Sequence, residues 1–185
     1  MVTVVAINGS RREGSYTKLG LEHALDAAET AGAEAEMIDL GTVDIPLYHP
    51  DHDPGERITD LMARVREADG VIVGSPVYHG SYSSAFKSFH DYCGFDEYEN
   101  TSVGLLASAG GGSYGSTLDH LRATIRGVHG WVIPQQVGIR GARNHFDEGE
   151  LTTENLAERV ADLGRAVTED ARLRAGERES VPTDD

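Results

Sequence analysis

Lysine is almost missing from this chain: only Lys18 and Lys87 occur among 185 residues. Acids outnumber bases 31 to 16, which leaves a formal charge of −15. A surface this anionic repels nucleic acid and anionic membranes, so neither is expected as a partner. Acid-rich, lysine-poor composition resembles that of proteins from salt-accumulating halophiles, where concentrated salt screens the self-repulsion. Cysteine is reduced to Cys93, which cannot form an internal disulfide, and no spacing resembles a zinc or iron–sulfur site. No bound metal is expected. Long apolar runs are also lacking: no stretch approaches the roughly 18 residues of a membrane span. The opening "MVTVVAING" has neither a basic start nor a small-residue cleavage pattern, so a cytoplasmic location is expected.

What is present is an alternation of buried-strand and amphipathic-helix patterns. "VTVVAI" (Val2 to Ile7) is a β-branched run of the kind found in strands buried on both faces, and Asn8-Gly9 ends it. Further strands are expected over "AEAEMIDL", "GVIVGSPV", Ser102 to Ala109 and Trp131 to Ile139. Helices are expected over Ser15–Ala31, with Leu19, Ala24 and Ala27 or Ala28 inward, and over Glu56–Ala68, Ser83–Cys93, Thr117–Val128 and Glu154–Leu173. Five strands with intervening helices give an α/β fold, a flavodoxin-like three-layer sandwich whose parallel sheet has the order 2-1-3-4-5. One domain over 1–175 and a disordered acidic tail over 176–185 complete the expectation.

In such sheets ligands bind beyond the carboxyl ends of the strands. The loop after the first strand, Gly9-Ser10-Arg11-Arg12-Glu13-Gly14-Ser15-Tyr16-Thr17, copies the glycine spacing of a triphosphate loop but puts Ser15 and Tyr16 where Lys and Ser/Thr belong. Amides, hydroxyls, a helix N-terminus and an arginine suit a terminal monophosphate instead. The loops after strands three and four, Ser75-Pro76-Val77-Tyr78-His79-Gly80-Ser81 and Ser108-Ala109-Gly110-Gly111-Gly112-Ser113-Tyr114-Gly115, bring glycine-rich backbone to the same edge. Such backbone lets a flat heterocycle approach closely, with Tyr78 packed beside it.

These loops resemble the NADPH-dependent FMN reductases. Gly9, Ser10, Arg12 and Ser15 are similar to that family's G-S-x-R-x-x-S signature, with Thr17 where Asn often stands. Pro76, Tyr78, Ser81 and Lys87 follow its P-x-Y-x-x-S-x-x-x-x-L-K segment, with Phe86 replacing the leucine, and "SAGGGSYG" resembles its ring-binding loop. The resemblance implies an oxidoreductase with FMN as cofactor and NADPH or NADH as co-substrate. It assigns Ser10, Arg12, Ser15 and Thr17 to the phosphate, with Tyr16 beside them, and Pro76, Val77, Tyr78, His79 and Gly80 along the isoalloxazine ring. Ser108, Ala109, Gly110 and Gly111 fall at the pyrimidine edge. Tyr78 and His79 stand beside the ring, and no side chain is required as a catalytic acid or base. A small-molecule electron acceptor is implied, whether quinone, flavin, azo compound or metal oxyanion, and so is a homodimer or homotetramer.

Two other readings share parts of the pattern. A flavodoxin-type electron carrier has the same fold and cofactor, but such carriers bind phosphate with hydroxyls and amides where this chain has Arg12. Gly111-Gly112-Ser113-Tyr114-Gly115 matches the G-x-S-x-G elbow of serine hydrolases, yet Ala109 to Gly112 separate Ser113 from its strand. The His49, Asp51, His52 and Asp53 run reads as an acid-rich turn, and Cys93 as a packed small side chain. Phe86, Phe89 and Tyr92 form an apolar stripe suited to the core or to a dimer contact.

Overall fold

The structure, a computed structural model, describes the backbone of residues 1–180 and the side chains of residues 1–176. Five parallel strands, β1 (Thr3–Asn8), β2 (Glu34–Asp39), β3 (Gly70–Pro76), β4 (Ser102–Ala109) and β5 (Trp131–Arg140), form a sheet in the order β2-β1-β3-β4-β5. Their residues alternate between two cores, as the two-residue period of a strand requires. Val4 and Ala6 face one side with Ile72 and Leu106, while Val5 and Ile7 face the other with Val71, Val73 and Leu105. The first side is covered by α1 (Tyr16–Thr30) and the long α6 (Glu154–Ser180). The second is covered by α2 (Glu56–Glu67), α3 (Ser84–His90), the single turn α4 (Phe95–Tyr98) and α5 (Gly115–Gly127).

Helix α1 starts where Ser15 accepts a hydrogen bond from the Lys18 amide, an N-cap typically worth about 1 kcal/mol. Its buried stripe is Thr17, Gly20, Leu21, Ala24, Leu25 and Ala28, so Leu19 is only half-buried and the core face is rotated from the one the sequence suggests. Leu21 and Leu25 carry more apolar surface than Leu19 and Ala27 and take the inward positions. Helix α6 crosses α1 at Gly164, where an added Cβ would lie 2.0 Å from the Ala24 carbonyl oxygen; only glycine allows the approach.

Helix α3 ends at His90, short of the expected Cys93, because the chain turns there through Tyr92 and Cys93 into α4. Pro76 closes β3 without breaking it: it pairs with Ser108, and the Val77 amide continues the ladder to the Ser108 carbonyl at 2.8 Å. Beyond β5 the chain forms a short 3-10 turn (Ala142–Asn144) and a two-stranded hairpin, β6 (Phe146–Asp147) and β7 (Glu150–Leu151). Glu148 and Gly149 both have positive φ there, as a two-residue turn of this hand demands. Helix α6 runs past Leu173 to Ser180, so 176–180 are helical rather than part of a tail. The rest of the expected tail, 181–185, lies outside the described residues. Among the described residues, no helix is long and apolar enough to cross a membrane.

Candidate functional site

The loops after β1, β3, β4 and β5 meet at the carboxyl edge of the sheet around a cleft of about 640 Å³. Of the residues expected there, Arg12, Tyr16, Pro76, Val77, Tyr78, Ser108, Ala109 and Gly110 line it. Ser10 and Ser15 instead line an adjoining cavity of about 440 Å³ on the far side of the first loop, which Arg12 also reaches.

The first loop is fixed by short-range necessity. Gly9 donates its amide to the Gly74 carbonyl at 2.8 Å, and a Cβ there would lie 3.0 Å from both Gly74 O and Phe86 Cβ. Asn8 turns back on the loop: its Oδ1 accepts from the Ser10 amide, and its Nδ2 donates to the Ser10 carbonyl and to Asp39 Oδ1 at 2.8 Å. Asp39 also accepts from the Gly41 amide and from Lys18 Nζ at 2.9 Å. Burial alone would raise the Asp39 pKa, but hydrogen bonds from Lys18, Asn8 and Gly41 outweigh it and hold the carboxyl below its usual range. The same bond to Asp39 raises the Lys18 pKa against a smaller opposing effect of burial. Asn8, Lys18 and Asp39 were not expected in this role; Asn8 read only as a strand breaker, and nothing in sequence joins it to Asp39 at the end of β2.

Hydroxyls tie the loops together. Ser83 caps α3 by accepting from the Phe86 amide and donates to the Gly9 carbonyl, while its own amide donates to Ser75 Oγ. Thr17 is not aimed at the loop's open side: it is 1 % exposed and its Oγ1 shares a 2.6 Å hydrogen bond with Ser108 Oγ. Ser10 Oγ accepts from the Arg12 amide at 3.3 Å. Arg12 itself is exposed and makes no ion pair among the described residues.

Tyr78 to Ser81 form a tight turn in which the two end residues exchange backbone hydrogen bonds and His79 and Gly80 both have positive φ. His79 and Gly80 therefore sit at an exposed apex and not on the cleft wall. The turn is pinned to α5, with Ser116 Oγ donating to the Gly80 carbonyl and Ser81 Oγ bonded to His120 Nδ1. Gly110, Gly111 and Gly112 are open: a Cβ built on any of them meets nothing within 4 Å. Gly111 lies off the cleft wall and accepts from Arg140 Nε at 3.1 Å.

The far wall is Ala142 and Arg143, which the strand and helix patterns did not single out. His145 clasps this segment. Its Nε2 must donate to the Arg140 carbonyl at 3.0 Å, so in the neutral ring Nδ1 accepts from Thr153 Oγ1 at 2.9 Å. Phe146 then stacks on Tyr16 with centroids 5.3 Å apart.

Other candidates resolve simply. Ser113 Oγ accepts from the Gly115 amide, and the nearest downstream histidine, His120, is engaged with Ser81. His49 and His52 stack on each other, and the described residues hold no group of three metal-binding side chains. Burial pushes the Cys93 thiol up, consistent with a packing role. Phe86 and Phe89 are fully buried and belong to the core, whereas Tyr92 is half-buried and its hydroxyl donates to the Pro46 and Leu47 carbonyls at 3.3 Å.

Comparison with known proteins accords with this geometry. The profile of the family described as NADPH-dependent FMN reductase matches residues 2–144. An NADPH azoreductase from Bacillus sp. (strain OY1-2) is 34% identical over 151 residues, 80% of this chain and 81% of its own. An FMN-dependent NADPH-azoreductase of Staphylococcus aureus (strain USA300) is 31% identical over 137 residues, 71% and 73% of the two chains. In fold, the chain is similar to the flavoenzyme NAD(P)H:(acceptor) oxidoreductase FerB of Paracoccus denitrificans, with TM-score 0.78, 19% identity and 94% and 99% of the two chains covered. It is also similar to an apo NADH:FMN oxidoreductase, EMOB, with TM-score 0.75, 19% identity and 91% and 89% covered. The chain therefore belongs to the NADPH-dependent FMN reductases, oxidoreductases that take FMN as cofactor and a reduced nicotinamide nucleotide as co-substrate.

Proposed function

We propose that the cleft at the carboxyl edge binds FMN and that the enzyme uses NADPH to reduce a small aromatic acceptor of the azo or quinone kind. The donor set fits the cofactor. Arg12 stands beside the N-terminus of α1 and the amides of the β1 loop, which suits a phosphate monoester. Pro76, Val77 and Tyr78 lie side by side with Ser108, Ala109 and Gly110 along the cleft, and its size is that of a pocket for a ligand of this class. When bound, FMN supplies the hydride acceptance and electron delivery that no side chain here offers.

The protein's own part is to hold and shape. Arg12 and the loop amides anchor the phosphate, while the open backbone of Gly110 lets ring-edge atoms come within hydrogen-bonding distance of an amide. Tyr78, 52 % exposed, flanks the ring and leaves an open approach for the nucleotide and then for the acceptor. His79 at the turn apex takes no proton-transfer role in this reading. The observation that carries the proposal is that Arg12 and the backbone after β3 and β4 open onto one cleft.

An anaerobic titration of the FMN-loaded protein with NADPH, then NADH, tests it through the flavin's visible absorbance. Rapid bleaching is expected. FMN binding without bleaching would favour an electron carrier, and failure to bind FMN would sink the assignment of the cleft.

A cytoplasmic homodimer or homotetramer adapted to concentrated salt is part of the same reading. It is supported by the charge of −15 and by Leu47, an apolar side chain 85 % exposed on the loop between β2 and α2. Sedimentation in concentrated KCl tests the assembly.

A further inference from the structure

Acids outnumber bases two to one in this chain, yet the cleft is lined by two charged residues and both are arginines: Arg12 on the loop after β1 and Arg143 on the loop after β5. No carboxylate lines it. The adjoining cavity is different, since Arg11, Arg12 and Lys18 are offset there by Glu13, Glu22 and Asp39. The cleft is thus a positive focus on a strongly negative molecule, and such a focus attracts anionic ligands that the rest of the surface repels.

Arg143 is held as a binding residue would be. Gly141, at φ 65°, turns the chain into the 3-10 turn, and Ala142 is buried beneath it. The His145 clasp and the Phe146–Tyr16 stack fix the segment on its other side. The side chain is left exposed, and although Asp147, Glu148 and Glu150 follow closely in sequence, none comes within ion-pair reach of it. β1 and β5 are three strand spacings apart, roughly 14 Å. Arg12 and Arg143 thus stand on loops from strands that far apart while lining one cleft.

We propose that Arg143 is a nucleotide-binding residue that holds a phosphate of the nicotinamide nucleotide, forming a second anion subsite in the cleft beside that of Arg12. This rests on the reading of the cleft as the FMN site. A guanidinium offers the planar, paired donors that match a phosphate, and its charge does not depend on pH in the working range. Two phosphates of the nucleotide share this chemistry, the 2′-phosphate and the diphosphate.

The test is calorimetric titration of FMN-loaded wild-type, Arg143→Gln and Arg143→Lys proteins with the oxidised nucleotides NADP⁺ and NAD⁺. Arg143→Gln is expected to weaken NADP⁺ binding about tenfold, as loss of one charge-assisted contact does, and Arg143→Lys to recover part of it. FMN affinity and the thermal midpoint stay as in the wild type. A loss confined to NADP⁺ assigns Arg143 to the 2′-phosphate, and an equal loss with NAD⁺ assigns it to the diphosphate. Unchanged nucleotide affinity, or a parallel loss of FMN affinity, overturns the proposal. Failure of the wild type to bind FMN overturns the cleft assignment and this one with it, whereas retained FMN binding with unchanged nucleotide affinity overturns Arg143 alone.

Discussion

Thr17 Oγ1 and Ser108 Oγ share a 2.6 Å hydrogen bond that joins the first turn of α1 to the end of β4. Both side chains are buried, so each hydroxyl depends on the other. Thr17→Val keeps the shape and removes one partner, and should lower unfolding stability by about 1 kcal/mol. Denaturant titration of the apo protein reads this. If stability is unchanged and FMN affinity collapses instead, Thr17 contacts the phosphate directly.

Arg12 gives the sharper test of the phosphate site. Because its guanidinium has no carboxylate partner among the described residues, Arg12→Ala should cost little stability. FMN affinity should fall at least about tenfold, in keeping with a charge-assisted hydrogen bond of about 1.5–3 kcal/mol. Riboflavin, which lacks the phosphate, should be affected by less than about twofold. Equal losses for the two flavins would remove Arg12 from that site.

His90 sets an acid limit on the fold. Its ring stacks on Phe86 and meets Tyr98 edge-on, and its Nδ1 has no hydrogen-bond partner. Burial lowers its pKa from 6.5 to about 4, with the Thr124 carbonyl and Asp91 opposing and Lys87 assisting. Between those two values the unfolded chain binds a proton that the folded one refuses. The His90 contribution to stability is therefore constant above about pH 6.5 and falls toward pH 4 by about 1.4 kcal/mol per unit. His90→Phe retains the stack and should flatten that slope in urea melts taken across the window. Every other ionisable group is common to both proteins and cancels in the comparison. An unchanged slope would exclude His90 as the source.

Net charge should make stability salt-dependent. Raising ionic strength from 0.1 to 1 M shortens the screening length from about 10 to about 3 Å, which relieves repulsion among the unpaired acids. The thermal midpoint should rise across KCl from 0.1 to 2 M, and a flat or falling midpoint would count against adaptation to salt.

The centre of the sheet was legible because β1, β3 and β4 are buried on both faces and so consist largely of apolar or small residues, while the edge strands β2 and β5 are partly exposed. β4 (Ser102–Ala109) begins and ends where its pattern does, and Val2 to Ile7 needed only a one-residue shift. What the sequence concealed depends on contacts between distant segments. Asn8 reaches Asp39 only because β1 and β2 pair in parallel register. Thr17 reads as a loop hydroxyl until β4 places Ser108 against it. Glu148-Gly149 is a weak turn signal between strands of two residues each, too short for any periodicity to register. Arg143 had no motif to mark it and became visible once β5 carried it to the edge where Arg12 already stood.

The floor and rim of the cleft are built from different materials. Below lie the strand ends at Pro76, Ser108 and Ala109, locked by the ladder and presenting backbone. Above stand Arg12, Tyr78 and Arg143, each on a loop whose backbone is anchored independently of its side chain. A replacement at the rim therefore acts on binding and not on the fold beneath. Tyr78, the rim position that holds no phosphate in this reading, is where a replacement would change what approaches the cleft and leave the fold beneath unaltered.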